Sequence, residues 1–417
     1  MNATTNPQSL SRANSRLELV DALRGSALAG ILLLHSIEHW DFMRYPQNPP
    51  EWLKPFNTAA HDLGFFLFGG KSYAVFAMMF GLSFFLILDR WTKRGVNFQG
   101  RFLWRLALLA IFGYLNGIVY CGDFLLVIAL LGVPLVFLNR LGNRALGWIS
   151  VLLMLQLPML WKVWHIVLDP AVQLPRPLHW DVYGQLGRVY TNGTFWEFFR
   201  TNLWLGQLSR LFWTFETGRF TQMLGLFIWG LLLGRSRVFE DPARCVRLAV
   251  RALILGVVGF AIIYPAKLQV IELGLTGVNR SVTNNLISAY CNLAQMAIWV
   301  GAFILLFQWA RGRAVLRLLV PYGRMSLSNY VLQGLVGVPL FYGFGFALYR
   351  WLGPFYSVLF GVALLCGQIA LSHFWLKRYN YGPLEWLWRA LTFGTFDLPM
   401  RKAVAVPTRA AEPVSVA

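Results

Sequence analysis

Charge is what this sequence has least of for its length. Asp, Glu, Lys and Arg together make up 13% of 417 residues, about half the share of a soluble domain. So few charges cannot clothe a globule of this size in polar surface, which excludes a water-soluble fold. Ten-residue segments of alternating hydrophobicity, the mark of a membrane β-barrel, do not stand out either. Cysteine is scarce: Cys121, Cys245, Cys291 and Cys366 are scattered without CxxC pairing, which argues for packing residues rather than disulfides or thiolate metal ligands. No removable leader is expected, because residues 1–18 are polar and no small-residue cleavage site follows the first apolar run.

What the chain does have is 57% hydrophobic residues and a mean hydropathy of +0.53, gathered into runs of membrane-spanning length. A bilayer core needs roughly 20 helical residues, and helices satisfy their own backbone where lipid offers no hydrogen bonds. The sequence therefore predicts an all-α, polytopic membrane bundle of about ten spans (ten to eleven). They fall near 19–38, 69–89, 103–120, 123–138, 145–168, 220–235, 248–265, 285–309, 326–349 and 355–376. Residues 56–68 read as an amphipathic or re-entrant lead into the second span. Residues 169–219 form the longest connection, with 194–213 suited to a helix lying in the interface. Gly113-xxx-Gly117 and Gly230-xxx-Gly234 signal close helix packing.

The net charge of +19 weighs against a nucleic-acid partner, because the basic residues sit in short blocks between apolar runs, the pattern of cytoplasmic loops. With the N-terminus inside, 25 of the 37 Lys and Arg residues fall on the inner side and 11 on the outer, with Lys71 inside a span. Both termini are thus expected in the cytoplasm of a bacterial inner membrane protein. Residues 1–18 form a cytoplasmic segment, 19–400 one transmembrane domain with 169–219 as its periplasmic connection, and 401–417 a disordered tail.

Polar residues inside spans are costly and so informative. Arg16, Asp21 and Arg24 open the first span and His35 lies near its end. Asp21 and Arg24 share a helical face, and His35 follows Arg24 by three turns, about 16 Å of rise. One reading makes the arginines interface anchors and His35 a packed polar residue. The other is a channel with a basic mouth for phosphates and a histidine base at its far end. Glu38 and His39 follow on nearly the same face. With His61 or Asp62 they would make at most a marginal metal site, and no metal is expected; Glu38 is better suited to orient a histidine. Lys71, in Gly69-Gly70-Lys71-Ser72, lacks the strand and spacing of a nucleotide loop and either snorkels outward or serves a site. Asp123, beside Asn116, either caps the next helix or joins a site. Ser326, Asn329, Tyr330 and Gln333, after Arg324, form a polar stripe at i, i+3, i+4 and i+7 that should face a cavity or a partner helix.

Five stretches carry a resemblance: LxLVDALRGSALAGILLLHS, LFGGKSYAVFAMMFG, RLALLAIFGYLNGIVYCGDFLL, GRMSLSNYVLQ and GPLEWLWRALTFG (382–394). In that order they resemble the landmarks of YeiB-like bacterial membrane proteins, a family of undefined biochemistry. The first helix is also similar to that of transmembrane acyltransferases, whose acetylating members carry a basic residue, ten intervening residues and a histidine. Arg24-x10-His35 matches that signature. Many YeiB-like proteins have asparagine at the position of His35, so relatives need not use a histidine base.

The resemblance implies acyl-CoA, acetyl-CoA in particular, as cosubstrate. Its phosphates would sit on Arg16, Arg24 and Arg324, with Ser326, Asn329, Tyr330 and Gln333 lining the passage. His35, Asp21, Glu38 and Asp123 are then the catalytic candidates. The acceptor would be a cell-envelope glycan or lipid on the outer face, beside the membrane lipids themselves. A homo-oligomer is compatible with this reading. A secondary transporter or lipid or solute translocator using the same cavity is the second class, although paired inverted half-helices are not evident. A scaffold or ligand sensor is the third.

Overall fold

The computed structural model describes residues 7–402 apart from 41, 96, 97 and 170, and gives no side-chain surroundings for 7–17, 270 and 271. The chain opens with α1 (Pro7–Ile37), α2 (Lys54–Leu67), α3 (Ser72–Thr92), α4 (Phe98–Val119) and α5 (Leu125–Leu138). It continues with α6 (Asn143–Met154), α7 (Leu157–Leu168), α8 (Leu178–Asn192), α9 (Phe195–Thr201) and α10 (Gln207–Glu216). Next come α11 (Arg219–Arg235), α12 (Pro242–Glu272), α13 (Gly277–Gln308) and α14 (Ala310–Leu316). The last four are α15 (Leu319–Arg324), α16 (Ser326–Phe341), α17 (Pro354–Arg378) and α18 (Pro383–Phe393). Among the described residues there is no named strand, only an isolated bridge between Tyr379 and Arg401. The chain is an all-α bundle.

Among the described residues, seven helical segments are long and apolar enough to cross a membrane: 18–37, 51–92, 98–119, 143–168, 242–269, 277–308 and 354–378. The other three expected spans correspond to the shorter helices α5, α11 and α16. Sequence reading set the first span at 19–38, whereas α1 runs back to Pro7, a residue well placed in a first helical turn. Arg16 lies on that extension, and its side chain falls outside the described residues. Residues 403–417, most of the expected tail, also fall outside them.

Burial grades the helices. The α1 span is 78% buried and the α12 span 11%, so α1 runs through the protein while α12 offers its apolar face to lipid. Glycines set the closest approaches. Gly230 packs against the Met78 backbone of α3, and Gly113 against the Leu125–Leu126 backbone of α5. Helix starts follow ordinary capping: the Asp241 carboxylate accepts from the Ala243 and Arg244 amides at 2.9 and 3.2 Å. Thr194 and Glu197 form a reciprocal capping box on α9.

In the long connection the stretch 194–213, expected to be helical, is helical from Phe195 onward. Helix α8, then α9, a π-helical turn at Asn202–Gly206 and α10, fold onto the far end of α1. Val182, Leu186, Tyr190 and Phe198 join Leu32, Trp40, Tyr120 and Tyr342 in one buried cluster. Glu216 at the end of α10 clamps the start of α8, accepting from the Leu178 and His179 amides at 2.8 and 3.0 Å. Burial would raise its carboxyl, but these bonds and the His179 ring prevail and hold it below the ordinary value.

Candidate functional site

Two cavities meet inside the bundle. The first, about 460 Å³, is lined by six arginines: Arg24, Arg90, Arg94, Arg105, Arg324 and Arg389. Its two carboxylates are both engaged. Asp21 bonds Arg24 at 2.7 Å, and Glu385 accepts from Leu327 N, Ser328 N and Ser328 Oγ at 2.7, 3.1 and 2.6 Å. Burial raises the Glu385 carboxyl, and those bonds to the start of α16 oppose it. The cavity is therefore strongly cationic and suits phosphate oxygens, which guanidinium groups recognise well.

The arginines are placed by packing. Arg24 reaches from Asp21 to Ser83 Oγ of α3, at 2.8 Å. Arg105 lies 3.5 Å from the Trp388 ring centroid and Arg389 5.0 Å from that of Tyr381, which orders both without neutralising them. Arg324 is exposed, lines the cavity and donates to the Asn380 carbonyl at 3.4 Å.

The second cavity is a chamber of about 1180 Å³ lined by His35, Glu38, Lys71, Arg210 and Arg219 among others. The His35 ring is edge-on to Tyr120 and Tyr330 at 5.1 and 6.3 Å. His35 is buried, and its Nδ1 has no hydrogen-bond partner among the described residues. Buried polar atoms are normally paired, so the enclosed, unpaired Nδ1 marks His35 as an unusual residue on the chamber wall. Beyond Glu38 the chain turns through His39, Trp40 and Met43, all with positive φ, a conformation that costs non-glycine residues about 1–3 kcal/mol each.

The cavities share four wall residues: Phe76, Leu125, Ile128 and Tyr330. His35 lies beside this shared wall, its ring 6.3 Å from that of Tyr330. The Tyr330 hydroxyl accepts from the Phe124 amide at 3.1 Å, which ties this partition to the start of α5.

Several sequence candidates lie elsewhere. Asp123 lines neither cavity. Its carboxylate accepts from Asn116 at 2.9 Å and from the Leu125 amide at 3.0 Å, so it caps α5 and positions the partition. Asn329 and Gln333 are also absent from both walls. Asn329 bonds Ser372 Oγ at 2.8 Å, Gln333 donates to the Tyr322 hydroxyl at 3.1 Å, and Tyr322 donates to Gln368 at 3.1 Å. Their half of the polar stripe locks α16 to α15 and α17, while Ser326 and Tyr330 do line the arginine cavity. His39 turns away from His35: its Nδ1 donates to the Arg44 carbonyl and its Nε2 accepts from Ser357 Oγ at 2.7 Å. Among the described residues no three His, Cys, Asp or Glu side chains group as metal ligands. All four cysteines are free.

Lys71 does not snorkel. It is 5% exposed and donates to the Phe65 carbonyl at 2.9 Å. Gly70 before it has φ +78°, and a side chain there would strike Asn292, which explains the paired glycines without a nucleotide loop. Sequence reading missed Arg105, Arg389, Arg210 and Arg219 as site residues. The first two counted only towards orientation, and the last two fell in the long connection 169–219. The usable signal was aromatic company, since each stacks on Trp, Tyr or Phe.

A polytopic helical membrane protein with two abutting polar cavities is thus the class that fold and site define. Residues 233–395 match the family described as "Protein of unknown function (DUF418)". The chain is 26% identical to the uncharacterized protein YxaH of Bacillus subtilis (strain 168), over 94% of this chain and 98% of that protein. It is 25% identical to an uncharacterized 39.9 kDa protein in the amylase 3'region of Bacillus acidopullulyticus, over 93% and 97% respectively. A 70-residue stretch is 40% identical to the uncharacterized protein YeiB of Escherichia coli (strain K12), covering 17% of this chain and 18% of that one. The chain is thus similar over nearly its whole length to uncharacterized bacterial proteins, and over a short stretch to YeiB. No solved structure matches it.

Proposed function

We propose that the protein is a membrane-embedded acyltransferase, moving an acyl group, acetyl in the first instance, from cytoplasmic acyl-CoA to a cell-envelope acceptor on the outer face. The observation that carries this reading is the shared wall of Phe76, Leu125, Ile128 and Tyr330 between the cationic cavity and the chamber, with the His35 ring 6.3 Å from that of Tyr330. The orientation follows from the excess of Lys and Arg on the inner side. CoA phosphates sit on Arg24, Arg324 and their arginine neighbours, and the thioester reaches past Tyr330.

His35 then takes the proton of an acceptor hydroxyl or amine as that group attacks the thioester carbonyl. The carbon–sulfur bond breaks, and the same proton passes to the CoA thiolate. Asp21 holds Arg24 in place, and Glu38 supplies negative charge beside the chamber's cations. The test is transfer of radiolabelled acetyl from acetyl-CoA to envelope material by protein in membranes. Folded His35→Ala and Arg24→Ala variants should lose it, and full activity in both overturns the proposal.

The same abutting cavities also suit passage, with Tyr330 as a partition between two accessible sides. Uptake or efflux by protein in liposomes, without consumption of a CoA thioester, would favour that second reading.

A further inference from the structure

The chamber wall carries more cationic than anionic side chains. Five cationic side chains line the chamber (Arg44, Lys71, Arg210, Arg219 and Lys267), against two carboxylates, Glu38 and Asp62. Asp62 is largely exposed and lies 3.1 Å from His61. Lys71, Arg219 and Lys267 come from three different places, the α2–α3 link, α11 and α12. No carboxylate among the described residues pairs with any of them. Lys71 spends its ammonium on one backbone carbonyl, and Arg219 donates to Tyr73 and Gln222. An ammonium at 5% exposure is expensive without an opposite charge. Asn284, Asn285 and Ser288 line the same region and add neutral donors. The rim differs: Leu63, Phe66 and Leu268 line the chamber yet are 58%, 43% and 48% exposed, an apolar edge turned to the surroundings.

We propose that Lys71, Arg219 and Lys267 form a phosphate-binding subsite that holds a phosphate-bearing molecule in the His35 chamber. The cations supply the charge-assisted bonds that phosphate oxygens require, and the amides complete its shell. This deepens the acyltransferase reading, on which only the role of the bound molecule as acceptor rests: its phosphate anchors it while a hydroxyl or amine is offered to His35. The phosphate could come from a lipid headgroup, whose tails would leave over the apolar rim, or from a soluble compound.

The experiment is calorimetric titration of the purified full chain, in neutral detergent and phosphate-free buffer, with inorganic phosphate and with dihexanoyl phosphatidylglycerol. Wild type should bind at least one of them. Lys71→Gln and Lys267→Gln should each weaken that binding about tenfold or more, the scale of one lost charge-assisted contact. Lys267 is only half-buried, so its variant guards against a folding failure at Lys71. Tighter binding of the lipid assigns a headgroup, and tighter binding of inorganic phosphate assigns a soluble source; either supports the subsite. Equal binding by wild type and both variants, or no binding of either compound, overturns it. CoA binding by the same variants is measured in parallel and should be unchanged. Loss of acyl transfer chemistry with the lysine-dependent binding intact would sink the enzyme reading and leave the subsite standing.

Discussion

Gly25 and Gly323 meet backbone to backbone where α1 crosses α15. A Cβ on Gly323 would lie 2.7 Å from the Gly25 nitrogen, and one on Gly25 would lie 3.1 Å from the Gly323 nitrogen. The two glycines flank Arg24 and Arg324 in sequence, so the contact that joins the helices also brings both arginines to one cavity. Gly25→Ala and Gly323→Ala should each cost about 1–3 kcal/mol, the usual penalty of overpacking. The expected result is a melting temperature lowered by several degrees in fluorescence-detected chromatography. An unshifted transition in both would mean that the helices do not approach this closely.

His35 and His39 are separated by one turn and by role. His39→Ala removes both ring bonds that tie the end of α1 to Arg44 and Ser357, at about 1–3 kcal/mol. His35→Ala breaks no such bond through Nδ1. Thermal melts should therefore show the larger loss in the His39 variant, whereas acetyl transfer should vanish only in the His35 variant. The reverse pattern would exchange their assignments.

Asp123→Ala should behave as a lost cap. It removes the acceptor for the α5 amides and strands Asn116, costing about 0.5–2 kcal/mol for the cap and a further 1–3 kcal/mol for the buried amide. Protein that survives at low temperature should still bind CoA with wild-type affinity, measured by titration. A stable but CoA-blind variant would restore Asp123 to the site.

Glu385 gives a pH signature. Its folded pKa is raised above the ordinary 4.5 by burial, so the folded state holds this proton more tightly than the unfolded state. The carboxyl's contribution is fully present below pH 4.5 and is lost as pH rises through the folded pKa. The stability margin of wild type over Glu385→Gln should accordingly shrink as pH increases. Parallel melts across that range would check it, and a margin that widens with pH would reverse the sign.

The helices were legible because a lipid-spanning run declares itself by length and apolarity, although α16 stops at Phe341, short of the expected 349, and the expected 145–168 is split into α6 and α7. Site residues were legible only where polarity interrupts such a run: Asp21, Arg24, His35 and Glu38 all line a cavity. The stripe on α16 was ambiguous for a physical reason. Periodicity specifies a face but not what that face meets, and Asn329 and Gln333 meet helices while Ser326 and Tyr330 meet space. Arg210 and Arg219 were hidden by the length of the connection that carries them. A 51-residue segment between spans reads as surface until its fold-back onto α1 is known.

The contrast between α1 and α12 bears on how this chain tolerates change over time. A bilayer asks a helix face only to be apolar, so Leu255 and Ile262, exposed at 72% and 69%, are exchangeable for any residue of similar hydropathy. Ala22, Leu23, Ala27 and Leu28 are fully enclosed and answer to shape as well. Among homologues, divergence should accumulate along the outer face of α12, while α1 keeps its side-chain volumes nearly fixed from its first buried turn to His35.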